Sequence, residues 1–211
     1  MEFVLGVDEA GRGPLAGPVA VGLVAVPEGF DVAREFPGVA DSKQLSEKKR
    51  EELYGMLETR VALGDARFIV EFGSPEKIDR QGIAVVVREA VARGVGKLAK
   101  RGHQVSECLL TPGVRVPGVR ILLDGALKAP LEFAQETIIN GDELVPLISL
   151  ASIAAKVERD RLMVALAKEY PAYGFEQHKG YGTRLHYEML KQHGLCAIHR
   201  RTFTHLVFPE N

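Results

Sequence analysis

Valine-rich apolar segments alternate with polar segments along the first third of the chain, and this pattern predicts strands followed by a helix. EFVLGVD and PVAVGLVAV are bounded by glycine or proline, which is typical of strands. In SEKKREELYGMLETRV, Leu53, Leu57 and Val61 recur at helical spacing after Ser46, a favourable N-cap residue. RFIVEFG, residues 67–73, predicts a further strand.

Strands and longer helices alternate in the remainder of the chain. Residues 81–100 have a helical pattern despite two glycines. VRILLDG (119–125) is short, almost wholly apolar and ends in Asp-Gly, as expected for a buried strand that meets a turn. ETIING (136–141) repeats this form more faintly, and helices are predicted for residues 143–167 and 183–193.

This order of elements predicts an α/β fold with a mixed sheet flanked by helices. Pro171 and Gly174 mark a joint in the chain. We therefore expect a sheet domain in residues 1–170 and a helical C-terminal extension in residues 171–211.

Composition favours a globular protein of a reducing compartment. The 211 residues are 46% apolar and 26% charged, and no apolar run approaches the ~18 residues of a membrane span. The first residues lack the basic start of a signal peptide. Cys108 and Cys196 are far apart and form no metal-binding motif. We expect a cytoplasmic protein with no membrane association.

Charge is distributed unevenly. The net charge is −1, but residues 156–211 carry +3 and residues 1–155 carry −4. Five of the six histidines also lie in the later segment. The skew is compatible with a polyanionic partner at the C-terminal end, and equally with a mildly basic solvated surface.

Three aspartates follow apolar runs at predicted strand ends. Asp8 closes one run, Asp124 closes another, and Asp142 follows a third. In an open α/β sheet, acids at the ends of separate strands can converge, and clustered carboxylates are the ligands that Mg²⁺ prefers. Taken singly, each aspartate could instead be a turn former, most clearly in Asp124-Gly125.

Glu9 directly follows Asp8, which raises a geometric difficulty. Successive residues of a regular strand point to opposite faces of the sheet. If both carboxylates serve one site, the strand must end, bulge or twist at Glu9.

The glycines that follow formally match a dinucleotide-binding fingerprint, in GRGPLA. That fingerprint requires a helix next, whereas GPVAVGLVAV predicts a strand, so we disfavour a nucleotide cofactor. Backbone without side chains can approach a ligand closely, including a ribose 2′-hydroxyl, although a tight turn would have the same composition. Arg12 could bind a phosphate or neutralise Asp8 and Glu9.

Taken together, these motifs resemble the ribonuclease HII family, the type 2 ribonucleases H. The matching segments follow the family's order along nearly the whole chain: GVDEAGRGPLAGPV (6–19), DSKQLSEKKREELY (41–54), LLDG (122–125), NGD (140–142), ASIAAKVERDRLM (151–163), YGFEQHKGYGT (173–183) and HGLCAIHRRTF (193–203).

The resemblance implies a ribonuclease H-like fold with a helical C-terminal extension that contributes to substrate binding. It implies a catalytic site that holds two divalent ions, Mg²⁺ or Mn²⁺, on four acids: Asp8, Glu9, Asp124 and Asp142. The implied substrates are RNA-DNA hybrids and duplex DNA with embedded ribonucleotides, contacted by Gly11, Arg12, Gly13, Lys43 and Tyr181. The backbone of the first three would contact the 2′-hydroxyl, Tyr181 would stack on the following deoxyribose, and Lys43 would bind a phosphate.

Departures from the family pattern occur at Gln44, Ala126 and Thr202, and none replaces an acid. The related type 3 enzymes usually carry Glu as the fourth acid, so Asp142 favours type 2. The five C-terminal histidines are expected on helix faces or near phosphates, not as metal ligands. The resemblance favours a monomer, and FTHLVFPEN lacks the Gln of a sliding-clamp motif.

Two other functions stay open from the residues alone. A metal-dependent DNA nuclease such as a junction resolvase would also need clustered acids, but would not need a loop that contacts a 2′-hydroxyl. A non-catalytic nucleic-acid-binding module would use the basic C-terminal face and would gain nothing from four acids.

Overall fold

A single five-stranded mixed sheet forms the centre of the computed structural model, which describes residues 2–100 and 118–204. The strands are β1 (Phe3–Ala10), β2 (Val19–Pro27), β3 (Arg67–Gly73), β4 (Val119–Asp124) and β5 (Ala134–Ile138). The helices are α1 (Val32–Glu35), α2 (Glu47–Leu63), α3 (Pro75–Gln81), α4 (Ile83–Lys100), α5 (Gly141–Leu144), α6 (Pro146–Glu169), α7 (Phe175–His178) and α8 (Arg184–His193), and a 3-10 helix spans Arg201–Phe203.

The strand order is β3-β2-β1-β4-β5. β1, β2 and β3 pair antiparallel, whereas β1, β4 and β5 pair parallel. The predicted α/β class with a mixed sheet and flanking helices is confirmed. No helix in the described ranges is both long and apolar enough to cross a bilayer.

Alternation along β1 and β2 divides the core between the two faces of the sheet. One face packs on α4 through residues such as Val7 and Leu23, and the other packs on α2 and α6 through residues such as Val24. Gly22 allows α6 to approach the sheet closely, because a Cβ at that position would overlap the carbonyl oxygen of Ala151. This close packing places α6 directly beside the ends of β1 and β4.

Element boundaries differ from the predictions at three places. The helix predicted for residues 81–100 begins at Ile83, because Gly82 has a φ of +80° and follows α3, which the pattern did not predict. The strand predicted for residues 136–141 is β5, which ends at Ile138. The helix predicted from residue 143 begins at Pro146, since proline is favoured at the first helical position.

The helical C-terminal region is present, and it packs against earlier parts of the chain. Tyr173, Phe175 and Leu190 form an apolar cluster with Leu15 of the loop after β1 and with Met163 of α6. The division into units 1–170 and 171–211 stays a prediction. Cys108, His205 and most of FTHLVFPEN lie outside the described residues.

Candidate active site

Asp8, Asp124 and Asp142 lie together at one end of the sheet, and we call them the acid cluster. One carboxylate oxygen from each lies within 4.8 Å of the others. Val7 is the register partner of Leu123 in the parallel pair β1-β4, so the residues that follow, Asp8 and Asp124, lie side by side on the α6 face. The third member, Asp142, lies in the first turn of α5, and its backbone N–H donates to Asp124 Oδ1 at 3.3 Å.

Glu9 lies beside the acid cluster but points to the other face of the sheet. β1 continues in regular pairing through Glu9, which pairs with Val21, to Ala10. Of the three expected alternatives, an end, a bulge or a twist at Glu9, the first two are wrong. The pairing with β4 stops one residue earlier than Asp8, at Val7. Beyond that point, the edge of β1 has no β4 pairing partner among the described residues.

The Glu9 carboxylate is only half satisfied. Its Oε1 accepts a 2.9 Å hydrogen bond from Arg12, while Oε2 is buried and has no hydrogen-bond partner among the described residues. A buried carboxylate oxygen without a partner is costly unless a donor or a cation reaches it. This orphaned oxygen is therefore compatible with a fourth cation ligand.

Burial, more than repulsion between neighbouring acids, disfavours the charged form of Asp8. Burial raises the pKa of Asp8 to about 7; a hydrogen bond from Ser152 opposes the rise, and the charges of Glu9 and Asp124 add to it. The Lys43 ammonium lies 3.0 Å from Asp142 Oδ2 and 3.9 Å from Asp41 Oδ1. The hydrogen bond to Asp142 raises the pKa of Lys43, which therefore stays charged as a counter-ion.

The donor set of this site fits a hard divalent cation. Its ligands are carboxylate oxygens, with neither imidazole nor thiolate in the cluster. Oxygen-only sites with several carboxylates suit Mg²⁺ or Mn²⁺ better than softer metals. The side chain of Lys43 is 74% exposed, so it can move away when a cation neutralises the acids.

Gly11, Arg12 and Gly13 lie in the loop that links β1 to β2, which we call loop 11–18. Gly11 is buried with a φ of +84°, whereas Arg12 and Gly13 are exposed. Among the described residues, the N–H groups of Arg12 and Gly13 have no hydrogen-bond partner. These two donors are available to a ligand that approaches the loop from outside.

Tyr181 lies beside this loop because its neighbour Gly180 binds it. The carbonyl oxygen of Gly180 accepts hydrogen bonds from Leu15 N at 2.9 Å and Ala16 N at 3.3 Å. Tyr181 is 39% exposed, and Lys156 Nζ and Arg159 Cζ lie 5.4 Å and 5.5 Å from the centroid of its ring. The exposed ring with two nearby cations is suited to a sugar or base next to a phosphate.

Two buried histidines fix the backbone of Tyr181 from behind, and we call them the histidine chain. The Cys196 N–H donates to His199 Nδ1 at 2.9 Å, so the His199 proton is on Nε2 and is donated to His186 Nε2 at 3.0 Å. His186 Nδ1 then donates to the carbonyl oxygen of Tyr181 at 3.0 Å. The two accepting nitrogens, His199 Nδ1 and His186 Nε2, each require that their ring is neutral.

Imidazole ¹⁵N NMR is expected to show both rings of the histidine chain neutral at about pH 5.5. Burial lowers the pKa of His186 and of His199 from 6.5 to about 4. Their contribution to stability is therefore complete above pH 6.5 and is lost as the pH falls toward 4. The exposed His193 supplies a reference signal, and protonation of either buried ring near pH 5.5 would contradict the hydrogen-bond chain.

Several residues at the site were not singled out by the sequence. The side chain of Ser152 of α6 hydrogen-bonds to Asp8, and its Oγ lies 2.8 Å from the Oγ of Ser42. Arg159 and Arg200 are fully buried beneath loop 11–18. Both lie within matching motifs, but their role depends on contacts between distant parts of the chain. The signal that could have identified Arg159 in the sequence is that it is a cation on the apolar helix α6, because such a residue indicates either a buried partner or a ligand.

The comparisons with known proteins agree along nearly the whole chain. The sequence model of the family Ribonuclease HII matches residues 5–208. The Ribonuclease HII of Endomicrobium trichonymphae is 45% identical over 202 residues, covering 95% of this chain and 85% of that protein. The Ribonuclease HII of Bacillus cereus strain AH820 is 41% identical over 204 residues, covering 96% and 69%.

Solved structures show the same architecture. The RNase HII of Archaeoglobus fulgidus, solved in a complex with PCNA, superposes with a TM-score of 0.71 at 27% identity and covers 94% of each chain. The ribonuclease H2 of Pyrococcus horikoshii gives 0.69 at 27% identity, covering 97% of this chain and 96% of that one. The expected ribonuclease H-like fold is confirmed, and the chain belongs to the ribonuclease HII family of metal-dependent endonucleases.

Proposed function

We propose that this ribonuclease H hydrolyses the RNA strand of RNA-DNA hybrids and also cuts on the 5′ side of ribonucleotides embedded in duplex DNA, leaving 3′-hydroxyl and 5′-phosphate ends. The observation that carries the proposal is the placement of loop 11–18, in which the N–H groups of Arg12 and Gly13 have no partner among the described residues, directly after the strand that bears Asp8. The loop that would contact the ribose thus directly follows, in the sequence, a strand that would hold a metal ligand. Such cleavage would begin the removal of misincorporated ribonucleotides from DNA, in the cytoplasm.

The acid cluster would hold Mg²⁺ or Mn²⁺, with Glu9 as a fourth carboxylate. Two such ions in an active site supply an activated water and stabilise the leaving oxygen of a phosphodiester. The protein's part is to hold Asp8, Asp124 and Asp142 rigidly on strand ends and on the start of α5. Lys43 balances the acids and, once released from Asp142, can reach a substrate phosphate from its exposed position.

Recognition of the sugar would fall to loop 11–18 and Tyr181. The N–H groups of Arg12 and Gly13 can donate to a ribose 2′-oxygen, and the exposed guanidinium of Arg12 can bind a flanking phosphate. Tyr181, next to the loop, would stack on the deoxyribose that follows and so sense an RNA-to-DNA junction. The basic C-terminal region would contact the phosphate backbone.

The test of the proposed function uses three duplexes with Mg²⁺: DNA with one internal ribonucleotide, the same sequence as all DNA, and a four-way junction. We expect cleavage of the first alone, on the 5′ side of the ribonucleotide. Cleavage confined to the all-DNA substrates would favour a resolvase, and binding without cleavage would favour a non-catalytic module. Either outcome overturns the proposal.

Tyr181→Ala is expected to reduce cleavage at a single ribonucleotide by about tenfold or more and to leave cleavage within a long RNA-DNA hybrid much less affected. The reason is that only the first substrate places a deoxyribose against the ring. Steady-state rates on both substrates measure the effect, and Tyr181→Phe, which keeps the ring, serves as the control. Equal losses on both substrates would contradict a junction-sensing role.

The Archaeoglobus fulgidus relative was solved with PCNA. In this chain FTHLVFPEN has no glutamine at the place expected for a clamp-binding motif. This segment does not support a sliding-clamp interaction, and we propose that the enzyme acts as a monomer.

A further inference from the structure

Arg159 and Arg200 are buried cations that bind backbone instead of acids. Both side chains are 0% exposed. Arg200 donates from Nη2 to the carbonyl oxygen of Gly11 at 2.7 Å, from Nη1 to that of Arg12 at 2.9 Å and from Nε to that of Gly17 at 2.9 Å. Arg159 donates to the carbonyl oxygens of Ala16 and Pro18, at 3.2 Å and 2.9 Å. The two guanidiniums thus bind five carbonyl groups of loop 11–18 from inside.

The direction of these carbonyl groups determines the direction of the free donors. In a trans peptide the C=O of one residue and the N–H of the next point to opposite sides. Because Arg200 holds the Gly11 carbonyl inward, the N–H of Arg12 points outward. Because Arg200 also holds the Arg12 carbonyl inward, the N–H of Gly13 points outward. The same side chain therefore orients the N–H groups of Arg12 and Gly13.

This arrangement is electrostatically costly. Burial, and after it the charge of Arg159, lowers the pKa of Arg200 to about 9, which still leaves the guanidinium protonated at neutral pH. Burial also lowers the pKa of Arg159, whose Nη1 has no hydrogen-bond partner among the described residues. Two buried like charges would be an expensive way to stabilise an ordinary turn. Their positive potential behind the loop also favours a phosphodiester in front of it.

We infer that Arg200, supported by Arg159, is a positioning residue for ribonucleotide selectivity, because it holds the N–H groups of Arg12 and Gly13 in the orientation that meets a ribose 2′-hydroxyl. The inference rests on the proposed function and adds to it the residues that shape the recognising loop. Lysine cannot replace Arg200 here, since one ammonium group cannot span three carbonyl groups in fixed directions.

The test measures binding without divalent ions, so that cleavage plays no part. Arg200→Lys and Arg159→Lys are compared with wild type for affinity toward two short DNA duplexes that differ by one internal ribonucleotide. Wild type is expected to prefer the ribonucleotide duplex by about tenfold, the value of one or two hydrogen bonds. In Arg200→Lys the preference is expected to fall below about twofold while all-DNA binding is unchanged. Arg201→Lys, the same exchange at the exposed neighbour, serves as the control and should keep the preference.

Amide hydrogen exchange in the wild-type protein supplies a measurement that does not depend on how the variants fold. The N–H groups of Arg12 and Gly13 are expected to exchange rapidly in the free protein and to become protected by the ribonucleotide duplex but not by the all-DNA duplex. A preference that survives in folded Arg200→Lys, or unchanged exchange at both amides, overturns the inference. Absence of any preference in wild type would instead count against the proposed function itself.

Discussion

Asp124→Asn is expected to reduce cleavage of the single-ribonucleotide duplex by at least about 1,000-fold while the protein remains as stable as wild type. The loss follows because the exchange removes one of three carboxylates that lie within 4.8 Å of one another. Folding is retained because asparagine keeps an oxygen that can accept the hydrogen bond from Asp142 N. Removal of a like charge beside the buried Asp8 also relieves repulsion. Single-turnover rates and thermal denaturation measure the two effects.

The control for this variant is Asp65→Asn, the same exchange in the turn that precedes β3. The Asp65 carboxylate lies 3.1 Å from the Arg60 guanidinium. Asp65 precedes the start of β3, where Arg67 pairs with Ala25 of β2 and Ala25 pairs with Leu5 of β1, so it lies toward the end of the sheet away from the acid cluster. It should cleave at wild-type rates. If Asp124→Asn cleaved at wild-type rates, the assignment of Asp124 as a metal ligand would be wrong. A large loss of stability in Asp124→Asn would instead show that the cluster is structural.

The place of each aspartate at the end of an apolar run is a local feature, so the sequence could suggest the convergence that the structure shows. Asp124 closes β4, and the parallel pairing of β1 and β4 places Asp8 beside it at the same end of the sheet. The valine-rich strands and the longer helices were predictable for the same reason, since their periodicities are local. The short helix α3 was missed, although Ser74 and Pro75 carry a helix-start signal: the Ser74 side chain accepts from Lys77 N.

Features that depend on how distant segments fit together could not be predicted. The expected end or bulge at Glu9 was wrong because the pairing of β1 with β2 continues through Glu9 to Ala10, and strand pairing is set by tertiary packing. The contacts of Arg200 with Gly11 and Arg12 join residues nearly 190 positions apart, with separations of 189 and 188. The histidine chain is another example, because its order follows from the packing of α8 against the segment after it.

Gly11→Ala is expected to lower the free energy of unfolding by about 2–4 kcal/mol and to abolish most cleavage. A φ of +84° disfavours any residue with a Cβ. The added Cβ would also overlap the Arg159 guanidinium, which cannot move because it is fully buried and bound to Pro18 and Ala16. Urea denaturation and cleavage of the single-ribonucleotide duplex measure the two losses.

Gly13→Ala is the matched variant two residues away, and the comparison separates packing from recognition. A Cβ at Gly13 would meet no atom within 4 Å, and the φ of Gly13 is outside the left-handed region. The free energy of unfolding should therefore change by less than about 0.5 kcal/mol. Cleavage should still fall by about tenfold or more, because the methyl group would displace a sugar that approaches the backbone. If Gly13→Ala cleaved at wild-type rates, the loop would not contact the sugar at that residue. The loss of cleavage in Gly11→Ala would then be an effect of packing alone. Both glycines lie in loop 11–18, but only a Cβ at Gly11 would displace the Arg159 side chain that holds the loop.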